Sequence, residues 1–251
     1  MVEMYRRPLT GWLDLSTYCN AGCPQCHRTN INGLDKVNWL QLIQWTFDDF
    51  KKAYPLRMLN MHKRFEICGT WGDPMMNKHI FKICEYIIKD GDCDVQINTN
   101  GSTRNPEWWW EFGVMGGEKL QVWFDVDGIT QEMHSLYRQK TDLNLVKENI
   151  ESYCMTNANA CAHVIVFKHN QDYLYEIEEL IRSLGIKGEI IFELSNRFSK
   201  GETFKFVNDK GINQELEQAT IKDHPLINGQ NPIRDHTWKK KKGILKHELH
   251  D

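Results

Sequence analysis

No stretch of the chain approaches the ~18 consecutive apolar residues that a membrane-spanning helix needs. Residues Met1 to Thr10 also lack the apolar run of a signal peptide. The expected location is therefore the cytoplasm, with no membrane partner. Charge of one sign is missing too: 31 lysines and arginines against 34 aspartates and glutamates leave a formal net charge of -3. No global basic field draws the chain to nucleic acid. There is no internal repeat of ~20–50 residues, which excludes solenoids and propellers. Nothing is low-complexity except the four lysines Lys239 to Lys242, a tract of the solvated-tail kind. No cysteine follows Cys161.

What is present belongs to an ordinary globular protein. With 41% hydrophobic and 26% charged residues, the 251-residue chain is neither disordered nor fibrous. Its length fits one main domain, since single α/β barrels often run to about 250 residues. Eight cysteines in a reducing compartment point to metal binding, catalysis or plain burial rather than to structural disulfides.

From about Gly11 to Leu194, short β-like runs alternate with amphipathic stretches, the pattern of βα units around a parallel sheet. Six strands are expected: Gly11 to Ser16, His62 to Cys68, Cys93 to Thr99, Lys119 to Val126, Cys161 to Lys168 and Glu189 to Leu194. Helices are expected from Asn38 to Ala53, Met76 to Lys89 and Leu143 to Thr156, each with an apolar stripe. A further helix opens at Asn105 as cap with Pro106 in its first turn. Another carries Leu174, Ile177, Leu180, Ile181 and Leu184 at helical spacing, opened by Asp172 and closed by Gly185. Of Trp108, Trp109 and Trp110, consecutive on a helix, at least one must be packed. Periodicity fades after Arg197, apart from a short extended piece at Phe204 and Phe206. Residues 1–200 are thus expected to form the core, and 201–251 a polar C-terminal extension.

The segment richest in chemistry is Ser16-Thr17-Tyr18-Cys19-Asn20-Ala21-Gly22-Cys23-Pro24-Gln25-Cys26-His27, directly after the first strand. Cys19, Cys23 and Cys26 stand at CxxxCxxC spacing in a loop that Gly22 and Pro24 help to turn. Soft thiolates suit iron-sulfur clusters or zinc. Four irons are normally held by four cysteines, so three ligands leave one iron open to a reactant. Zinc held by the three cysteines and His27 is an alternative, although the adjacent Cys26 and His27 are awkward ligands for one tetrahedral ion. Buried free thiols are another. Cys68, Cys84, Cys93, Cys154 and Cys161 show no clustered spacing and are expected in the core.

With these residues in place, the chain resembles the radical S-adenosylmethionine (SAM) superfamily, in particular its peptide-modifying and sulfatase-maturing, SPASM-type branch. Gly69-Thr70-Trp71-Gly72-Asp73-Pro74 resembles the family's Gly-Gly-Glu-Pro motif, and Asn98-Thr99-Asn100-Gly101 its Thr-Asn-Gly turn. Asp125-Val126-Asp127-Gly128, followed by His134, Tyr137 and Arg138, is similar to its Ser-Ile-Asp-Gly and His-x-x-Tyr-Arg stretches. The likeness covers roughly Gly11 to Arg197. It implies a partial (β/α)6 barrel with its motifs at the C-terminal ends of the strands, the face where barrel enzymes build active sites.

The resemblance also implies cofactors and roles. A 4Fe-4S cluster on Cys19, Cys23 and Cys26 would bind SAM and cleave it reductively to a 5'-deoxyadenosyl radical, which takes hydrogen from a substrate. Gly72 would let the backbone approach SAM, Asp73 accept from its ammonium, and Pro74 stiffen the turn. Thr99, Asn100 and Asp125 would bond ribose hydroxyls, and Arg138 clamp the SAM carboxylate. Asp127 and Gly128 are expected as turn formers. A flavodoxin- or ferredoxin-like electron donor and a peptide or protein substrate are the implied partners. The alternatives are RNA or a small metabolite as substrate, or an iron-sulfur or zinc module without turnover. The chain departs from the family pattern at Gln25, commonly aromatic, at Asp73 for glutamate, at Asp125 for serine, and in lacking C-terminal cysteines for auxiliary clusters.

Overall fold

The computed structural model describes residues 9–198, 203–221 and 223–227. Lys239 to Lys242 and most of the expected extension lie outside the described residues.

Six parallel strands pair in simple sequence order: β1 (Leu9–Leu13), β2 (His62–Ile67), β3 (Asp94–Thr99), β4 (Leu120–Asp125), β5 (Asn159–Val166) and β6 (Ile190–Leu194). The sheet curls into a half-barrel, the partial (β/α)6 barrel that the family resemblance implies. Alternation along each strand separates two faces. Phe65, Ile67, Val95, Ile97, Val122, Phe124, Ala162, Val164 and Phe192 are fully or almost fully buried in the apolar core under the helices. The opposite, concave face is polar: Glu66 pairs with Gln96, Gln96 with Gln121, Asp125 with His163, and Ile165 with Glu193. On that face Arg64 bonds Gln121 at 2.9 Å, bonds Gln96 and pairs with Glu66 at 3.5 Å, so the lower lumen is closed by a hydrogen-bonded layer rather than by the branched apolar residues usual in barrels.

The helices follow local chemistry. Asn105 caps Pro106–Gly116 by accepting from Trp108 N at 3.1 Å, and Asp142 caps Leu143–Cys154. Trp109 is fully buried against Phe112, Phe124 and Tyr153, while Trp110 is 47% exposed.

Three expected helices need correction. The first covers only Phe47–Ala53, capped by Thr46, because the backbone before it is spent on the cysteine loop. Ile43 N donates to Thr17 Oγ1 and Trp45 N to Leu15 O. The second breaks into a turn at Pro74–Met76, an α-helix at Ile80–Glu85 and a π-turn at Tyr86–Asp90. Asp172 lies in a short turn, Gln171–Tyr173, ahead of the helix Leu174–Ser183, with no capping bond from its side chain. Beyond β6, β7 (Thr203–Val207) and β8 (Asn213–Glu217) form an antiparallel hairpin.

Trp109→Ala should cost about 3–5 kcal/mol through the cavity it leaves. Urea unfolding followed by circular dichroism should show a lower midpoint at an unchanged slope.

Candidate active site

The loops after β1, β2, β3 and β4 meet at the C-terminal end of the sheet around a cavity of about 400 Å³. Cys19, Cys23 and Cys26 line it together with Gly72, Asp73, Thr99, Asn100, Asp125 and Arg138. Of the ten residues that the resemblance assigns to the cluster or to SAM, only Pro74 is not in the lining; it opens the turn behind Asp73. Burial pushes the Cys23 thiol up to about 12, with Arg138 opposing, and raises Cys19 as well. Both thiols are therefore protonated at neutral pH unless a metal displaces the proton.

Asp73 ties the loops together. Its buried carboxylate accepts from Thr99 Oγ1 at 2.9 Å, Asn100 N at 2.9 Å, Asn100 Nδ2 at 2.6 Å and Met75 N at 2.9 Å. Its own amide donates to Tyr18 O at 2.7 Å, and Asn100 Nδ2 reaches Asn20 Oδ1 at 2.9 Å on the cysteine loop. Burial raises the carboxyl's pKa, while the donors from Asn100, Met75 and Thr99 pull part of that back. The Thr99 hydroxyl thus donates to both oxygens of Asp73, which joins the turns after β2 and β3. Gly72 is needed because a Cβ there would sit 2.3 Å from Ser16 O and 2.6 Å from Tyr18 O, a close approach to the cysteine loop itself.

Arg138 is held by two carboxylates, Nη1 to Asp125 at 3.0 Å and Nε to Asp127 at 2.6 Å, which leaves Nη1 4.0 Å from Cys23 Sγ. Burial alone would lower its pKa; Asp125 and Asp127 outweigh this and hold it charged. Asp127 thus does more than form a turn: fully buried, it also accepts from Ile165 N at 2.7 Å. A Cβ at Gly128 would sit 2.6 Å from His134 N, so the residue allows a close approach there.

Several cavity residues escape the sequence patterns, Cys68, His163 and Glu193 among them. Cys68, expected in the core, is half-buried in the lining, whereas Cys84, Cys93 and Cys161 are buried as expected. His163 stands between Asp125 at 3.5 Å and Glu193 at 3.0 Å, and Asn98 faces the same space. A lone charged residue inside the apolar run Ile190–Leu194 is the signal that could have identified Glu193. Gln25 is buried, accepting from Ser195 Oγ at 2.7 Å. Among the described residues, no three His, Cys, Asp or Glu side chains converge where one metal ion could sit.

No family model and no curated protein matches the sequence. Among solved structures, SuiB of Streptococcus suis bound to S-adenosylmethionine superposes with TM-score 0.57 at 12% identity, covering 74% of this chain and 39% of its own. Native anSMEcpe with bound AdoMet and the Cp18Cys peptide gives TM-score 0.57 at 15% identity, over 78% of this chain and 52% of that one. Methylornithine synthase (PylB) gives TM-score 0.52 at 9% identity, over 74% and 53%. The chain shares their fold, an α/β half-barrel, and spans about half or less of the length of each.

His134 supplies a test of the packing behind Arg138. Buried beneath Asp127, whose amide approaches Nδ1 at 3.2 Å, its pKa falls to about 4 from 6.5, mainly by burial. The unfolded ring takes up a proton below about 6.5 and the folded ring only near 4, so stability is whole above that window and lost as pH falls through it. The loss should reach about 3 kcal/mol. His134→Gln should flatten the slope of unfolding free energy between those pH values.

Proposed function

We propose that the chain is a radical SAM enzyme, with Cys19, Cys23 and Cys26 as ligands of a 4Fe-4S cluster and a peptide or protein side chain as substrate. The observation that carries this reading is the meeting, in one cavity, of three loop thiols with the turns after β2, β3 and β4. The donor set fits the group. Thiolates suit iron, and in a polynuclear cluster each of the three would take its own iron and leave a fourth open. The fold is that of SuiB and anSMEcpe, solved with SAM bound, and anSMEcpe also with a peptide, which supports both cofactor and substrate class.

When bound, cluster and SAM supply one-electron cleavage of the sulfonium carbon-sulfur bond, releasing methionine and a 5'-deoxyadenosyl radical that takes a hydrogen atom from the substrate. The protein's part is to bind and orient. Arg138, kept charged by Asp125 and Asp127, offsets negative charge at Cys23. Asp73, Thr99 and Asn100 serve SAM by fixing the turns that line its space, and Asp125 presents a carboxylate to the same cavity. His163 and Glu193, on the strands beyond, face the side left for substrate. A flavodoxin- or ferredoxin-like protein would deliver the electron.

Reconstituted without oxygen, the wild type should hold about four irons per chain and, with dithionite and SAM, release 5'-deoxyadenosine detectable by mass spectrometry. Cys23→Ala should lower that release by about 100-fold or more. A fully loaded wild-type cluster that yields no 5'-deoxyadenosine would contradict the reading.

A further inference from the structure

The pattern of the sequence places a boundary near residue 200, yet the hairpin beyond it packs on the cysteine loop. Phe204 and Phe206 are two apart on β7, and Leu216 of β8 pairs with Phe204, so all three share one face. Lys205, Glu215 and Glu217 are exposed on the other. Phe206 and Leu216 are buried to 4% and 1% exposure in a cluster with Ala21, Cys23, Leu34 and Tyr137, against which Cys19 and Cys26 also pack.

Backbone bonds fix this contact. Val207 N donates to Ile31 O at 2.7 Å, Gly33 N to Val207 O at 2.9 Å, and Lys168 N to Glu217 O at 3.1 Å; Gln139 Nε2 reaches Gln214 Oε1 at 2.8 Å. Just after the first of these, Gly33 (φ 106°) and Leu34 (φ 59°) both turn through the left-handed region. That conformation is costly for leucine. Lys140 Nζ on Leu34 O, at 3.1 Å, and burial of the leucine against the hairpin cluster hold it there. A lone two-stranded hairpin is marginal in water, and residues 14–46 contain no helix or strand. Each completes the other.

We infer that the β7–β8 hairpin is the outer wall of the cluster site, and that Phe206 and Leu216 are positioning residues that hold the cysteine loop and keep water and dioxygen from its thiol side. The inference rests on the function proposed above, since the apolar shell of a metal site governs solvent access and potential.

The test uses the full chain with Phe206→Ser, Leu216→Ser, the conservative Phe206→Leu, and Gln214→Ala, which removes only the bond to Gln139. Circular dichroism and urea midpoints establish which variants fold. On cluster-free protein, iodoacetamide labelling of Cys19, Cys23 and Cys26 is timed by peptide mass mapping; on iron-loaded protein, loss of the visible charge-transfer band in air is timed and the midpoint potential measured. Both rates should rise about ten-fold in the serine variants, about two-fold in Gln214→Ala, and stay near wild type in Phe206→Leu. Wild-type rates in folded serine variants, or in Gln214→Ala should those not fold, overturn the inference while leaving the cluster reading intact. If the wild type takes up no iron but labelling still accelerates, the wall stands and the proposed function falls.

Discussion

A buried carboxylate that accepts from three residues on two turns organises this end of the molecule. Asp73 receives hydrogen bonds from Met75, Thr99 and Asn100, while its amide and its partner Asn100 reach Tyr18 and Asn20. Hydrogen bonds to a charged acceptor contribute about 1.5–3 kcal/mol each, and a buried carboxylate stripped of them is a large penalty. The turns after β2 and β3 and the cysteine loop therefore stand or fall together. Gly72 belongs to the same constraint, because any side chain there would push the loop away from the turn that anchors it.

The rest of the site is built outward from that lock. Arg138 rests on Asp125 and Asp127 and faces Cys23, placing a buried positive charge beside the thiols. The hairpin closes the outer side with Phe206 and Leu216. The polar lumen, closed below by Arg64, Gln96 and Gln121, opens into the cavity at the loop end. Scaffold and chemistry largely divide: most strand residues facing the helices are apolar, and the lumen face carries Glu66, Gln96, Gln121, Asp125, His163 and Glu193.

Much of this was legible in the sequence because it is written in local signals. Six strand runs, the Asn105-Pro106 cap and the CxxxCxxC loop need no knowledge of distant contacts, and the sheet order follows from βα succession. What the sequence hid depends on long-range partners. Residues 38–46 carry a helical apolar stripe, but their backbone bonds Leu15 and Thr17 instead. Phe204 and Phe206 look like a fragment until Leu216 and the cysteine loop supply the other half of their cluster. Cys68, His163 and Glu193 lack motif spacing because three different strands bring them to the cavity.

Iron X-ray absorption on the anaerobically loaded protein, before and after SAM is added, tests the central claim most directly. The account predicts iron with sulfur neighbours at cluster distances and iron-iron scattering, and new nitrogen or oxygen scattering at one iron once SAM binds. A lone metal centre without iron-iron scattering, or a cluster whose spectrum SAM leaves unchanged, would contradict it.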